Sequence, residues 1–416
     1  MNNIGRKMMK PLSIKMIDFI PAISGLIGKI ALASSFAFVW AQELAITFPN
    51  FVFENVRIEI IIGSIITLIM ALVFPNVAPA GTLAPLIVLI PAMVSFGVHP
   101  FILSIMVGII GIISVRTKIF EKLIMLSGYI SKTSLTLTFG SAGVLLSVEK
   151  LHSFFNGNYV PEILLLFLLA LVYGLLVKYK KNWLIIPIAA IISVIVPLLF
   201  EVKIDLSVPN TLPNFNPIYW WHNVWGIGFG LNIFTIIKTL PFALFVILVW
   251  AIDTVSINAM LDANFKANER REEINLDTSF VIVAVRNMIG GMCGGAQTSS
   301  LWRSFLIPLF MIKRPIRPSA ILLGIFGIIA GITAAPIKIL SFPPLIWTVL
   351  LFGIFIPFIV IGIKNTKNAE NLTQKITILL FSAIGVLFSP ILTWVGAVCF
   401  EKIGQKLRLS EINKNE

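Results

Sequence analysis

Twelve stretches of this chain are apolar for long enough to cross a bilayer, and that succession limits the fold more than any other feature. They lie near residues 20–46, 57–74, 100–115, 133–148, 161–177, 183–200, 233–261, 276–292, 318–335, 343–363, 374–388 and 389–403. A helix needs about 20 apolar residues to span the hydrocarbon core. Two shorter apolar segments, 82–97 and 298–311, each follow a stretch rich in Gly, Pro or Ala. Counting both gives about 14 transmembrane segments, with both termini on one side. The expected fold is therefore an all-α polytopic membrane protein. Of 416 residues, 57% are apolar and only 12% charged, a balance that no soluble fold of this size can bury. A soluble enzyme and a nucleic-acid-binding domain are excluded.

The charge map tests the crossing count. The chain carries 32 Lys+Arg against 19 Asp+Glu, a formal +13. Twenty-four of the 32 fall on the side of the N-terminus: Arg6 to Lys15, Arg116 to Lys132, Lys178 to Lys181, Lys266 to Arg271, Lys313 to Arg317, Lys364 to Lys375 and Lys402 to Lys414. The opposite loops hold only Arg57, Lys150, Lys203 and Lys338, and Lys29, Lys238, Arg286 and Arg303 fall within spans. Cytoplasmic loops collect Lys and Arg, so both termini are expected in the cytoplasm and the chain in the plasma (inner) membrane. The basic excess is then a topology signal, and no nucleic-acid partner is needed to explain it. The cluster Asn268–Glu273 reads as a solvated loop. The long outer connection, 201–232, contains Tyr219, Trp220, Trp221 and Trp225. It reads as an interfacial aromatic belt, with a substrate vestibule as the alternative.

Short motifs recur at about half the chain length. Val39-Trp40-Ala41-Gln42-Glu43 returns as Val249-Trp250-Ala251-Ile252-Asp253, an offset of 210, and Gly108-Ile109-Ile110-Gly111 returns as Gly324-Ile325-Phe326-Gly327, an offset of 216. Thr82 and Thr298, also 216 apart, open the two short segments. Residues 1–200 and 233–416 thus read as two repeats of seven segments, joined by the linker 201–232. Seven is odd, so the second repeat enters the membrane from the opposite side. This 7+7 inverted repeat is the plan of secondary transporters, whose sites lie at the repeat interface near the midplane.

Both short segments open on broken backbone. Pro75, Pro79 and Pro85 remove N–H donors, and Gly81 loosens the chain before Thr82. The second run, Gly290 to Gly295, leads through Gln297, Thr298 and Ser299 to Arg303. The spacing predicts two half-helices, starting near Thr82 and Thr298 and running in opposite directions. Irregular backbone at membrane depth survives only when buried in protein or lining a cavity. The facing N-termini suit an anion or a ligand rich in acceptors. Close helix packing is the alternative role of the glycines. Gly81, Thr82, Gln297, Thr298, Ser299 and Arg303 are the candidate substrate-binding residues.

Ionisable residues at bilayer depth are expensive. Asp253 lies mid-span and is the candidate ion-coupling residue, with a structural ion pair to Arg303 or Lys238 as the alternative. Glu43, its repeat mate, is the second ion-coupling candidate. Lys29, Lys238 and Arg286 are expected to snorkel from span ends. His99, His152 and His222 are scattered, and Cys293 and Cys399 have no metal or redox spacing. No catalytic residue, metal or cofactor is therefore expected.

On these motifs the chain resembles the nucleobase–ascorbate and SulP (anion) permease superfamily. Trp250-Ala251-Ile252-Asp253-Thr254 looks like the acid-bearing eighth helix of that superfamily. Thr298-Ser299-Ser300-Leu301-Trp302-Arg303-Ser304 is similar to the SulP tenth helix, whose Arg borders the anion site. The likeness implies a core domain from 20–115 and 233–335 and a gate domain from 133–200 and 343–403. It also implies an elevator-like cycle and a homodimer through the gate. SulP proteins usually carry a STAS domain after the last helix, where about a dozen residues follow here. The nucleobase branch has an acidic residue on the tenth crossing that is absent near Gln297–Ser300. Together these point to a sister family without a STAS domain.

The sequence reading is thus an H+- or Na+-coupled secondary transporter of a small anion, inorganic or carboxylate, embedded in the lipid bilayer. A nucleobase proton symporter and an anion channel-like protein are the alternatives.

Overall fold

Proline, glycine and asparagine set many of the helix ends. Pro100 stands at the first position of its helix while the His99 ring accepts from Phe101 N–H, a start that uses the missing proline donor where none is needed. Asn158, Asn275 and Asn371 accept from backbone N–H groups in the first turns that follow them, as capping side chains do. Gly97 ends another helix at φ 80°, the left-handed conformation that glycine adopts without penalty.

The resulting architecture, in a computed structural model, is all-helical. It is described for residues 13–204, 207–209, 211–264 and 274–415. Arg6, Lys7, Lys10, Lys266 and the cluster Asn268–Glu273 lie outside the described residues. The first half contains α1 (Phe19–Glu43), α2 (Phe51–Val73), α3 (Ile90–Phe96), α4 (Pro100–Arg116), α5 (Ile119–Leu126), α6 (Tyr129–Phe154), α7 (Tyr159–Lys178) and α8 (Ile185–Leu199). The second contains α9 (Ile233–Asn264), α10 (Leu276–Met292), α11 (Arg303–Met311), α12 (Ile316–Thr333), α13 (Ala335–Leu340), α14 (Pro343–Leu350), α15 (Ile356–Lys367), α16 (Leu372–Leu387) and α17 (Pro390–Asn415). A π-helical turn, Leu351–Phe355, carries α14 into α15, and a 3-10 turn, Ala84–Leu89, leads into α3.

Among the described residues, seven spans are long and apolar enough to cross a membrane, or eight if the pair bent by 118° at Gly97–His99 counts as one. The larger sequence count needs more polar helices such as α6, or shorter ones such as α10, α11 and α16, to cross as well. The packing falls into two groups. Helices α1, α2, α4 and α9 to α12 pack among themselves, with α2 along α12 and α4 along α10. Helices α6 to α8 and α14 to α17 do likewise, centred on α6. The first group touches the second mainly through α1, which meets α8 and α14. Asp18, at the entry to α1, holds Arg314 at 2.7 Å and so ties that end to the α11–α12 turn.

Three sequence expectations are corrected by burial. Lys29 and Arg286 do not snorkel: each is 0% exposed. The spans they sit on are buried inside the protein, so neither side chain has a route to the interface. Arg57 is not a loop residue but part of α2, buried, and donates to Gly331 O and Thr211 O. Trp220, Trp221 and Trp225 are not a lipid-facing belt. They are buried, and Trp221 and Trp225 donate indole N–H to Gly291 O at 3.0 Å and Gly294 O at 2.8 Å. The glycine run exposes carbonyls that no helix satisfies, and the tryptophans cap them. Lys238 is exposed.

Candidate functional site

The two broken stretches meet each other. Ala80 and Leu301 form an antiparallel bridge. Gly81 N–H donates to Ser300 O at 2.7 Å, Leu83 N–H to Thr298 O at 2.8 Å, and Trp302 N–H to Pro79 O at 3.0 Å. Backbone groups left over by proline and glycine are thus satisfied without a helix. Gly81 is required by the close approach, because a Cβ there would lie 2.5 Å from Trp302 Cα. The pairing is antiparallel, so the chain leaves the crossing in opposite directions, into the 3-10 turn before α3 and into α11.

This pairing shifts the helix starts. Thr82 and Thr298 are not caps. The 3-10 turn follows Leu83, α11 follows Trp302, and neither start has a side-chain cap. Arg303 is the first residue of α11 rather than a turn beyond its start. The Thr298 and Ser300 carbonyls, which a helix starting at Thr298 would need, accept from Leu83 and Gly81 N–H in the ladder, which holds the chain extended at both threonines.

Side chains from α2, α9 and α10 hold the crossing. Thr82 Oγ1–H donates to Gln297 Oε1, and Gln297 Nε2–H donates to Glu59 Oε2 at 2.5 Å. Ser299 N–H donates to Asn287 Oδ1 at 2.7 Å, Ser299 Oγ accepts from Arg286 Nη1 at 2.6 Å, and Ser299 O accepts from Trp250 Nε1 at 2.9 Å. Asn55 binds the glycine run from both sides, donating to Gly294 O at 2.7 Å and accepting from Ala296 N–H at 3.0 Å. Trp302 donates to Gly25 O at 3.0 Å, fastening the start of α11 to α1.

Asp253 stands at the open edge of this arrangement. It pairs with Arg303 Nη2 through Oδ1 and accepts from Ser300 Oγ through Oδ2 at 2.6 Å. Arg303 is 29% exposed against 7% for Asp253, and its guanidinium also lies 5.8 Å from the Phe358 ring of α15. The pair is therefore the charged group of the crossing that faces outward, toward the second helix group. Chemically the arrangement offers fixed donors, two helix starts and one guanidinium whose counter-ion is internal.

Of the sequence candidates, Gly81, Thr82, Gln297, Thr298, Ser299, Arg303 and Asp253 come together here. Glu43 does not: it is exposed at the last residue of α1. Sequence reading missed Asn55, Glu59 and Asn287. Asn55 and Glu59 are polar residues four apart in α2, hence on one face, and that spacing was a usable signal. A cavity of about 480 Å3 lies elsewhere, between the α1–α2 connection and the α13–α14 turn, with Lys203 and Lys338 in its wall.

The fold so built is similar to those of solved transporter structures. The transmembrane domain of a cyanobacterium bicarbonate transporter, BicA, superimposes with a TM-score of 0.62 at 13% identity, covering 91% of this chain and 97% of that one. SLC26A9 gives 0.62 at 11% identity over 95% of this chain and 66% of its own. The murine Slc26a9 anion transporter in the inward-facing state gives 0.57 at 10% identity, over 96% and 70%. Identities this low establish the fold alone. Residues 5–412 match the family described as protein of unknown function (DUF3360), and the chain belongs to that family. No curated protein matches the chain.

Proposed function

We propose that this protein is a secondary active transporter of a small anion, inorganic or carboxylate. The observation that carries the reading is the crossing itself. Two helix starts converge beside Arg303, whose paired carboxylate among the described residues is Asp253, a group of the protein itself. An arriving anion competes with Asp253 for the guanidinium. A proton or Na+ on Asp253 neutralises that competitor, so cation and anion favour each other's binding, which is a coupling free energy in the required sense. Bicarbonate transport by BicA and anion transport by murine Slc26a9, on the same fold, support the substrate class.

The fuller plan belongs to the same reading. Fourteen crossings form two inverted repeats, and the core (20–115 and 233–335) carries the site past the gate (133–200 and 343–403). The two packing groups and their narrow contact through α1 support that division. The broken crossings before α3 and α11 have the form found where transporter repeats meet. The protein works as a homodimer through the gate, in the plasma (inner) membrane, with both termini cytoplasmic.

Reconstitution into liposomes tests this. Uptake of labelled bicarbonate, chloride, sulfate or acetate under a proton or Na+ gradient is the expected result. Uptake of one of these that survives Arg303→Ala at the wild-type rate would overturn the anion site.

A further inference from the structure

The cavity of about 480 Å3 is walled by the α1–α2 connection, residues 203–204, the end of α6 and the α13–α14 turn. Helix α1 fixes its distance from the crossing. Gly25 of that helix holds Trp302, and Ala41 of the same helix lines the cavity. Sixteen residues separate the two, about 24 Å along a helix. The cavity is therefore not the place where Arg303 and Asp253 meet.

Its walls are graded from apolar to basic. Phe51, Phe53 and Phe342 form a buried floor, at 3%, 7% and 7% exposure. Phe154 joins them, edge-on to Phe342 with ring centroids 5.4 Å apart. The polar residues stand toward the rim. Asn50 and Lys203 are exposed, and Lys338 is half-buried with its Nζ 5.1 Å from the Phe53 ring. Asn50 precedes α2 in the left-handed conformation, and its side chain does not cap that helix. Among the described residues, no carboxylate forms an ion pair with Lys203. Glu54, in the wall of the adjoining cavity, is held by Arg57. An apolar pocket of this size with a few polar groups at one end has the form of a small-molecule site. The aromatic floor suits an apolar body, and the lysine ammonium groups suit a carboxylate.

We infer that this cavity binds an organic monocarboxylate with an apolar body, its carboxylate at Lys203 and Lys338 and its body against the phenylalanines. The walls come from both helix groups: the α1–α2 connection from the first, Phe154 of α6 and Pro343 of α14 from the second. A bound molecule bridges the groups and resists their relative movement. That consequence rests on the transport reading, whereas binding does not.

The full-length protein in lipid nanodiscs is titrated by calorimetry with phenylbutyrate, with its neutral counterpart phenylbutanol and with acetate, each against empty nanodiscs. Phenylbutyrate is expected to bind about tenfold or more tighter than the alcohol. Lys203→Glu, at an exposed residue outside any helix, is expected to weaken phenylbutyrate binding about tenfold and to leave the alcohol and acetate unchanged. Arg303→Ala is expected to leave phenylbutyrate binding as it is. Equal affinity for acid and alcohol, or no effect of Lys203→Glu, overturns the site and makes the cavity an unselective apolar void. Loss of phenylbutyrate binding in Arg303→Ala overturns it too, by placing the ligand at the crossing. In liposomes, saturating phenylbutyrate is expected to lower the maximal rate of small-anion uptake with KM unchanged. A raised KM at an unchanged maximal rate overturns the bridging role. Wild type that takes up none of the small anions sinks the transport reading, while the titrations still decide the site.

Discussion

Arg303 and Asp253 form an ion pair between the first residue of α11 and the interior of α9, and Ser300 fixes the second oxygen of the same carboxylate. Tertiary packing thereby joins two residues 50 positions apart into one switchable group. With the pair closed, the guanidinium is occupied. In the proposed cycle, a cation on Asp253 frees it for a ligand.

Asp253→Asn is expected to uncouple that switch. The amide keeps the size of the carboxylate but carries no charge, so Arg303 stays available. Anion binding should persist or tighten about two- to tenfold, while uptake loses its dependence on a proton or Na+ gradient. Uptake in liposomes with and without the gradient is the measurement.

Gly81→Ala is expected to destabilise the crossing. The new methyl would sit 2.5 Å from Trp302 Cα and 2.9 Å from its Cβ, and backbone on both sides leaves little room to yield. Overpacking of this kind costs about 1–3 kcal/mol. A lower melting temperature in detergent, together with lost uptake, checks it. Unchanged stability would mean that the ladder is not needed for the fold.

Trp221→Phe and Trp225→Phe remove the indole donors that satisfy Gly291 O and Gly294 O. Each removes one buried hydrogen bond while the carbonyl keeps another donor, Gly294 N–H for Gly291 O and Asn55 Nδ2–H for Gly294 O, a loss of about 0.5–1.5 kcal/mol. The two rings stack with centroids 5.0 Å apart, so the double variant should lose less than the sum of the singles. Thermal denaturation of the four proteins gives the comparison.

His99 predicts an acid-sensitive turn between α3 and α4. Burial pushes its imidazole down to about 4 from an ordinary 6.5, and its Nδ1 accepts from Phe101 N–H, a role only the neutral ring can fill. The unfolded chain takes up the proton that the folded chain refuses. Stability should therefore be full above pH 6.5 and fall as pH drops from 6.5 towards 4, by up to about 3 kcal/mol. His99→Gln should flatten that part of a melting-temperature profile. An equally steep profile in the variant would assign the effect to another group.

How much of this could be read from the chain depends on the kind of signal. The all-helical membrane fold was legible in the spacing of apolar runs, because a bilayer imposes a length on each one. The broken crossings were legible in Pro75, Pro79, Gly81 and the run Gly290 to Gly295, because such runs end a helix more readily than they continue one. The starting points were not. Thr82 and Thr298 looked like caps because capping is a local property, but their backbone is paired across 216 positions, which no local pattern encodes.

The charges separate the two levels most clearly. Sequence by itself determined that Lys29, Arg286, Asp253 and Arg303 belong to apolar segments, where each is costly unless compensated. Only the tertiary structure decided the compensation. It sent Asp253 to Arg303 and Glu59 to Arg286, turned Lys29 inward to Ala80 and the Trp302 ring, and left Glu43 at the surface. The physical reason is range. The cost of burying a charge is a property of the residue and its segment, whereas its relief depends on which other segment folds within about 3 Å of it.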